Sequence, residues 1–275
     1  MKTIYHFSGA GNDFVVIDGR EGDVSEFRDI ARIQALCKEY GTDGLMILGQ
    51  EMPDQVGHDV MAGSDRPSVD FTMEFFNPDG SGGMMCGNGG RCIVAFADYL
   101  GLRPASGGVF LFRAPDGLHT GEILDHPEDA LWTVRIKMID VQGITPMLGG
   151  LFLNTGTRHF VKFVNDVEQV DIDTEGKALR WDAAFAPVGT NVNFVHVAPD
   201  GLHVRTFEKG VEGETLACGT GLTACALAAH HAGVPSAAPG EYRLRARQDW
   251  LSVNFTPAPG DRFTDVYLTG PARLL

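Results

Sequence analysis

FNPDGSGGMMCGNGGRCIVAFADYLG, from Phe76 to Gly101, and FEKGVEGETLACGTGLTACALAAHHAG, from Phe207 to Gly233, are two versions of one passage. Aligned on Cys86 and Cys218, Gly87 meets Gly219, Asn88 meets Thr220, Gly89 meets Gly221, Ala97 meets Ala229 and Gly101 meets Gly233. In each, a glycine-rich turn leads into a cysteine. The cysteine opens a run that is small or apolar on nearly every side, Ile93 to Ala97 in one and Ala224 to Ala229 in the other, and a glycine ends it. A helix that is apolar all round is a buried one, and glycine just past its end is a usual stop. The pattern predicts two central buried helices, each opened by a cysteine.

Two more pairs occur upstream in the same order. SGAGNDFVVI, from Ser8, reads against NTGTRHFVKF, from Asn154, and GTDGLMIL, from Gly41, against GTNVNFVHV, from Gly189. Glycine turns before strands are common, so each short pair is weak by itself, but three blocks in one order predict a duplicated domain. Around them lie β-branched and aromatic segments such as FVVID, LMIL, DFTMEFF, WTVRIKMI, FVKFV, LHVRTF and WLSVNF, punctuated by Gly, Pro, Asn or Asp, so strands dominate. The fold class expected is α/β of the α+β type: two pseudo-symmetric domains, each a mostly antiparallel sheet wrapped around a central buried helix. The first domain is expected over residues 1–117 with 264–275, the second over 118–263. Ser25 to Tyr40 predicts an ordinary amphipathic helix, with Phe27, Ile30, Ile33 and Cys37 on one face and a stop at Gly41. The polar stretch from Glu51 to Ser68 predicts an insertion loop.

Bulk properties exclude several classes. With 275 residues, 44% hydrophobic and 21% charged, the chain has globular composition. A formal charge of −14 argues against a nucleic-acid or anionic-membrane surface, which needs clustered Lys and Arg. No apolar run is long enough to span a bilayer, and MKTIYHFSGAGNDF meets polar and glycine residues too early for a signal peptide, so the expected location is the cytoplasm. Five cysteines, at 37, 86, 92, 218 and 225, fit neither a disulfide framework nor a CxxC zinc pattern. Reduced thiols are expected, with Cys37, Cys92 and Cys225 as packing residues.

Cys86 and Cys218 differ from those three because they sit in glycine loops at equivalent positions of a duplication. Cys-Gly-Xaa-Gly ahead of a helix places a thiol beside several unpaired backbone N–H groups at the positive end of the helix dipole. That setting favours a thiolate, and equally a bound carboxylate. Two such thiols facing one another across a cleft between the halves suit removal of a proton from one face of a carbon and return of a proton to the other, which is racemisation or epimerisation. Two other classes compete. A thiol hydrolase with His159 as base leaves the second cysteine loop unexplained, and a phosphate or nucleotide binder lacks both the GK[ST] ending and the GxGxxG spacing.

The chain resembles the diaminopimelate epimerase family over nearly its whole length. The motifs are GAGNDF (Gly9 to Phe14), FNPDGSGGMMCGNGGRC (Phe76 to Cys92), the NTGxxH region (Asn154 to His159), GTNVNF (Gly189 to Phe194), EKGVEGETLACGTG (Glu208 to Gly221) and TGPA (Thr269 to Ala272). The resemblance implies epimerisation of LL-2,6-diaminopimelate to the meso form, on the route to lysine and peptidoglycan, by a homodimer that uses neither a metal nor pyridoxal phosphate. It implies Cys86 and Cys218 as acid/base thiols, with His159 and Glu208 tuning them. Asn12, Asn77 and Asn191 match substrate-binding asparagines, with Glu208 also at the substrate. Gly87 with Asn88 and Gly219 with Thr220 match the cradle for the reacting carboxylate. Without the family pattern, His159 would read as a satisfied loop histidine, Glu208 as an edge-strand carboxylate, and Arg91 as a surface charge at a helix start. Three positions depart from the family: Thr157 stands where asparagine is usual, Lys209 where arginine is, and Gly44 where some members have glutamine. Thr157 and Lys209 are therefore expected at the substrate with altered chemistry, because Lys is a point charge where Arg offers a two-pronged fork. Racemisation of another amino acid on the same fold is the alternative these departures favour.

Overall fold

The computed structural model describes residues 2–50, 67–83, 85–105, 107–236 and 238–275. The insertion loop expected over 51–68 lies, up to residue 66, outside the described residues, as does Met84 in the first glycine passage. The chain divides into two units, Met1–Val134 with Ala272–Leu275, and Arg135–Pro271.

In the first unit, β1 (Ile4–Gly9) and β2 (Asn12–Asp18) form an antiparallel hairpin. Helix α1 (Ile30–Tyr40) leads to β3 (Gly44–Gly49), parallel to β2, and β4 (Phe71–Phe76) runs antiparallel to β3. Helix α2 (Gly87–Tyr99) follows, then β5 (Val109–Ala114), parallel to β4, and β6 (Gly117–Glu128), antiparallel to β5. The chain leaves this unit within β7 (Leu131–Lys137).

In the second unit, the short strands β8 (Val141–Gln142) and β9 (Thr145–Met147) precede a repeat of the same pairings. β10 (Gly150–Asn154) and β11 (Arg158–Phe163) form the hairpin. After the short helix α3 (Lys177–Arg180), β12 (Asn191–Ala198) is parallel to β11, and β13 (Gly201–Glu208) antiparallel to β12. β14 (Gly213–Thr215) and helix α4 (Gly219–His231) come next. β15 (Glu241–Arg245) is parallel to β13, and β16 (Trp250–Ala258) antiparallel to β15. The final strand β17 (Arg262–Leu274) pairs with β16, and its last residues belong to the first unit, where they pair with β1. Hairpin, parallel strand, antiparallel strand, helix, parallel strand, antiparallel strand: the order is built twice, which is the duplicated α+β class expected.

Period-two alternation explains how each sheet covers two faces. In β3, Leu45 and Ile47 join Val15 and Ile17 against Ile33, Leu36 and Cys37 of α1, while Met46 and Phe14 lie against Gly89 of α2. In the second unit, Phe160, Val192, Phe194 and Phe207 pack on Val167, Ile172 and Phe185, and the alternate residues His159 and Asn193 lie against Gly221 of α4. Residues 87–97 of α2, and Gly219 with 221–229 of α4, are all buried. Among the described residues no helix is long and apolar enough to cross a membrane.

Four details differ from the sequence reading. The repeat alignment slips by one after the hairpins, because the first pairs Ser8 with Asp13 across four residues and the second pairs Asn154 with Arg158 across three. Phe14 therefore corresponds to His159, not to Phe160, and Met46 to Asn193; a one-residue slip moves a side chain to the other face. The helix expected from Ser25 is two pieces, a 3-10 turn over Ser25–Arg28 and α1, because Asp29 is extended and its carboxylate accepts from the Arg32 N–H to start a new helix. Strands β1, β6, β8, β9, β14 and β15 are not expected from the sequence. β6 buries only Gly121, carries Pro127, and is held by its backbone pairing to β5 rather than by an apolar face. Finally, the units divide at 134/135 and 271/272, whereas 117/118 falls at the start of β6, a strand paired within the first unit.

Candidate active site

Cys86 and Cys218 occupy the same structural position: each is the extended residue capping a buried helix, and each backbone carbonyl accepts the first helical hydrogen bond, from Gly90 at 2.7 Å and Leu222 at 2.8 Å. Cys218 is 8% exposed; Cys86 is half-buried. None of the five cysteines is in a disulfide. Burial pushes the Cys92 thiol up to about 12 and that of Cys225 well above its ordinary range, as packing thiols should behave.

In the first unit, Ala10 and Gly11, both at positive φ, make the two-residue turn that delivers Asn12. Asn12 Nδ2 donates to Asp43 Oδ2 at 3.2 Å, and the same oxygen accepts from the Asp13 N–H at 2.9 Å. Asn88, in the first turn of α2, donates from Nδ2 to Asn12 Oδ1. Its Oδ1 accepts from Arg91 Nη2 at 3.0 Å, while Arg91 Nη1 donates to the Gly87 carbonyl at 3.2 Å. Arg91 is no surface charge, since it is fully buried. With a donor-only guanidinium at one end and a carboxylate at the other, the relay Arg91 to Asn88 to Asn12 to Asp43 has a fixed direction, which sets both amide orientations. The signal for Arg91 was available in the sequence, three and four residues after Asn88 and Gly87 on a helix otherwise apolar. Asn77 lies in the loop after β4, its N–H and Nδ2 bonded to the Ser81 carbonyl and hydroxyl at 2.9 Å each. A Cβ at Gly44 would sit 2.8 Å from the Phe76 carbonyl oxygen, so packing rather than chemistry excludes a larger residue there.

In the second unit, Thr157 and His159 meet Thr220 and Cys218 at the start of α4. His159, fully buried, places Nε2 2.9 Å from Thr157 Oγ1 and 3.0 Å from Thr220 Oγ1. Those hydroxyls are 3.1 Å apart, and Thr220 Oγ1 lies 3.5 Å from Cys218 Sγ. Asn191 Nδ2 donates to the Arg158 carbonyl at 3.0 Å and its Oδ1 accepts from the Lys209 N–H at 2.8 Å. The Lys209 side chain is exposed. Glu208, ending β13, accepts from Thr215 Oγ1 at 2.8 Å. His159 is thus not a loop residue but a core residue of β11, and burial lowers its pKa to about 3. Asn193 and Thr206, absent from the sequence-based set, complete the cluster: Asn193 Nδ2 reaches His159 Nδ1 at 3.1 Å, and Thr206 Oγ1 donates to Asn193 Oδ1 at 3.0 Å. Among the described residues no group of three or more His, Cys, Asp or Glu is arranged to hold a metal ion.

The profile of the family described as diaminopimelate epimerase matches residues 4–109 and 151–273. The chain belongs to the diaminopimelate epimerase family. It is an isomerase of the epimerase type. Among its relatives in the family, the diaminopimelate epimerase of Chlorobaculum tepidum is 36% identical over 97% of this chain and 96% of its own length, and that of Flavobacterium psychrophilum 34% identical over 99% and 97%. A crystal structure of a phenazine biosynthesis protein of the PhzF family from Bacillus anthracis superposes with a TM-score of 0.67 at 11% identity, covering 99% of this chain and 96% of that one. The family's fold therefore extends to proteins of very different sequence.

Proposed function

We propose that this chain interconverts LL- and meso-diaminopimelate, on the route to lysine and peptidoglycan precursors, with Cys86 and Cys218 as its two acid/base groups. The observation that carries this reading is one construction made twice, a cysteine capping a buried helix and followed by glycine, inside a chain of this family. In each direction one cysteine, as thiolate, removes the α-proton, and the other, as thiol, delivers a proton to the opposite face. Charge developing on the substrate carboxylate is met by backbone N–H groups at Gly87, Asn88, Gly219 and Thr220, donors already in place before reaction.

Asn12, Asn77, Asn191, Thr157, Glu208 and Lys209 supply the remaining substrate contacts in this reading. The Glu208 carboxylate suits an ammonium group, and Lys209 suits the distal carboxylate. His159 tunes its neighbouring thiol. The reading includes a homodimer and a cytoplasmic location, where five thiols outside any disulfide stay reduced.

The test is α-proton exchange in D2O, followed by NMR, with LL-diaminopimelate and a panel of ordinary L-amino acids. Deuterium incorporation with appearance of the meso isomer is expected. Cys86→Ala and Cys218→Ala should each lower the epimerisation rate by about 10³-fold or more; substantial turnover in either variant would exclude the two-thiol scheme. A second reading, racemisation of a single-carboxylate amino acid, is favoured by Thr157, whose hydroxyl lies against His159 and Thr220. Exchange confined to such a substrate would select it.

A further inference from the structure

The start of α2 in the first unit rests on an apolar surface. A Cβ at Gly89 would lie 3.2 Å from Met46 Sδ and 3.8 Å from Phe14 Cζ, and Phe14 meets Phe75 edge-on with centroids 6.1 Å apart. Strand register makes His159, Asn193 and Thr206 the second unit's counterparts of Phe14, Met46 and Phe75. The same place in the same fold therefore holds a polar trio where an apolar one is sufficient for packing. All three are buried, and buried polar groups are costly unless hydrogen-bonded.

Here the bonds fix the Asn193 amide and, through it, the His159 ring. Asn193 Nδ2 donates to the Phe160 carbonyl at 3.1 Å, and Oδ1 accepts from Thr206 Oγ1, so the amide has one possible orientation. The other Nδ2 hydrogen then points to His159 Nδ1, which must be an acceptor. A neutral ring with Nδ1 accepting carries its proton on Nε2, directed at Thr157 and Thr220. A threonine hydroxyl that accepts from that N–H, or from its neighbouring threonine, keeps its own hydrogen for the next acceptor. A Cys218 thiolate can only accept, so with the sulfur in that form the Thr220 hydroxyl, 3.5 Å away, is its donor.

We propose that Asn193 locks His159 as a permanent Nε2–H donor, and that the ring, acting through Thr157 and Thr220, directs a hydrogen bond at the Cys218 sulfur instead of exchanging protons. Asn193 and His159 are then positioning residues for a thiolate, and the proposal rests on the reading of Cys218 as a reacting group. Leu153 faces the ring from β10, Asn191 and Asn193 from β12, Thr206 from β13, and Cys218, Thr220 and Gly221 from α4. Cys218 is the titratable group in that set. The depressed pKa of the buried ring agrees with a donor that stays neutral near pH 7.

The experiment uses the full, reduced chain with ¹⁵N-labelled histidine. Long-range ¹H–¹⁵N spectra should show His159, assigned by the signal lost in His159→Gln, as one neutral Nε2–H tautomer that does not titrate between about pH 5 and 9. Asn193→Asp places an acceptor where the donor was, so the ring turns to Nδ1–H and gains a titration in that interval. Above that titration, Cys218 in the variant should alkylate about tenfold more slowly than in the wild type, equivalent to about one unit in the thiol's midpoint, with Cys86 unchanged as internal control. An Nδ1–H tautomer or a titrating ring in the wild type overturns the proposal, whether or not the variant folds. Unchanged Cys218 alkylation in a folded Asn193→Asp overturns the link to the thiol. Neither readout needs turnover, so a failure to epimerise diaminopimelate would be seen separately.

Discussion

At the scale of single residues, Gly221 shows how tightly the second helix start is fitted. A Cβ there would fall 2.5 Å from Asn193 Oδ1 and 3.3 Å from both Cys218 Cβ and His159 Cε1. Asn193 is bonded on three sides and has no room to yield. Gly221→Ala should therefore cost about 1–3 kcal/mol in urea unfolding. Gly89→Ala is the control, because the nearest atom is the flexible end of Met46 at 3.2 Å; the gain in helix propensity should leave it within about 1 kcal/mol of the wild type. Equal losses at both sites would remove the distinction drawn between the polar and apolar helix seats. That distinction was not legible in the sequence. His159 is identifiable by motif, but Asn193 is a short polar residue within a strand pattern, and only the register shows it under the ring.

At the scale of elements, the capping residues decide where helices begin and what they can hold. Asp29 starts α1 by accepting the Arg32 N–H at 3.0 Å, so Asp29→Ala should lower stability by about 1 kcal/mol in the same assay. In α2, the Arg91 guanidinium ties Gly87 and Asn88 into the relay that ends at Asp43. Arg91→Met deprives two buried acceptors of these donors, which should cost about 1–3 kcal/mol. Because Asn12 and Asn88 then lose their enforced orientation, KM for diaminopimelate should rise more than kcat falls. A stability loss with unchanged KM would assign Arg91 to folding alone.

At the scale of the whole molecule, the buried histidine couples stability to pH. His159 is held at about 3 by burial, against an ordinary 6.5, so below about pH 6.5 the unfolded chain binds a proton that the folded one refuses. Its contribution is intact above that pH and is lost as pH falls from there toward 3. Between pH 7 and 5 the wild type should lose about 2 kcal/mol more stability than His159→Gln; parallel losses would refute the assignment. The duplication itself was readable, because glycine turns, apolar runs and stop residues are local signals. Cys86 and Cys218 could be placed at buried helix starts for the same reason, since helix periodicity and capping act over a few residues. What only the tertiary structure decided was pairing across strands. A one-residue difference between two hairpins exchanges the faces of a strand and seats one helix on Phe14 and Met46 and the other on His159 and Asn193, while bonds to Gly87 and Asn88 hold Arg91 in the core. Those outcomes depend on register and on satisfying buried donors and acceptors, quantities set jointly by residues far apart in the chain.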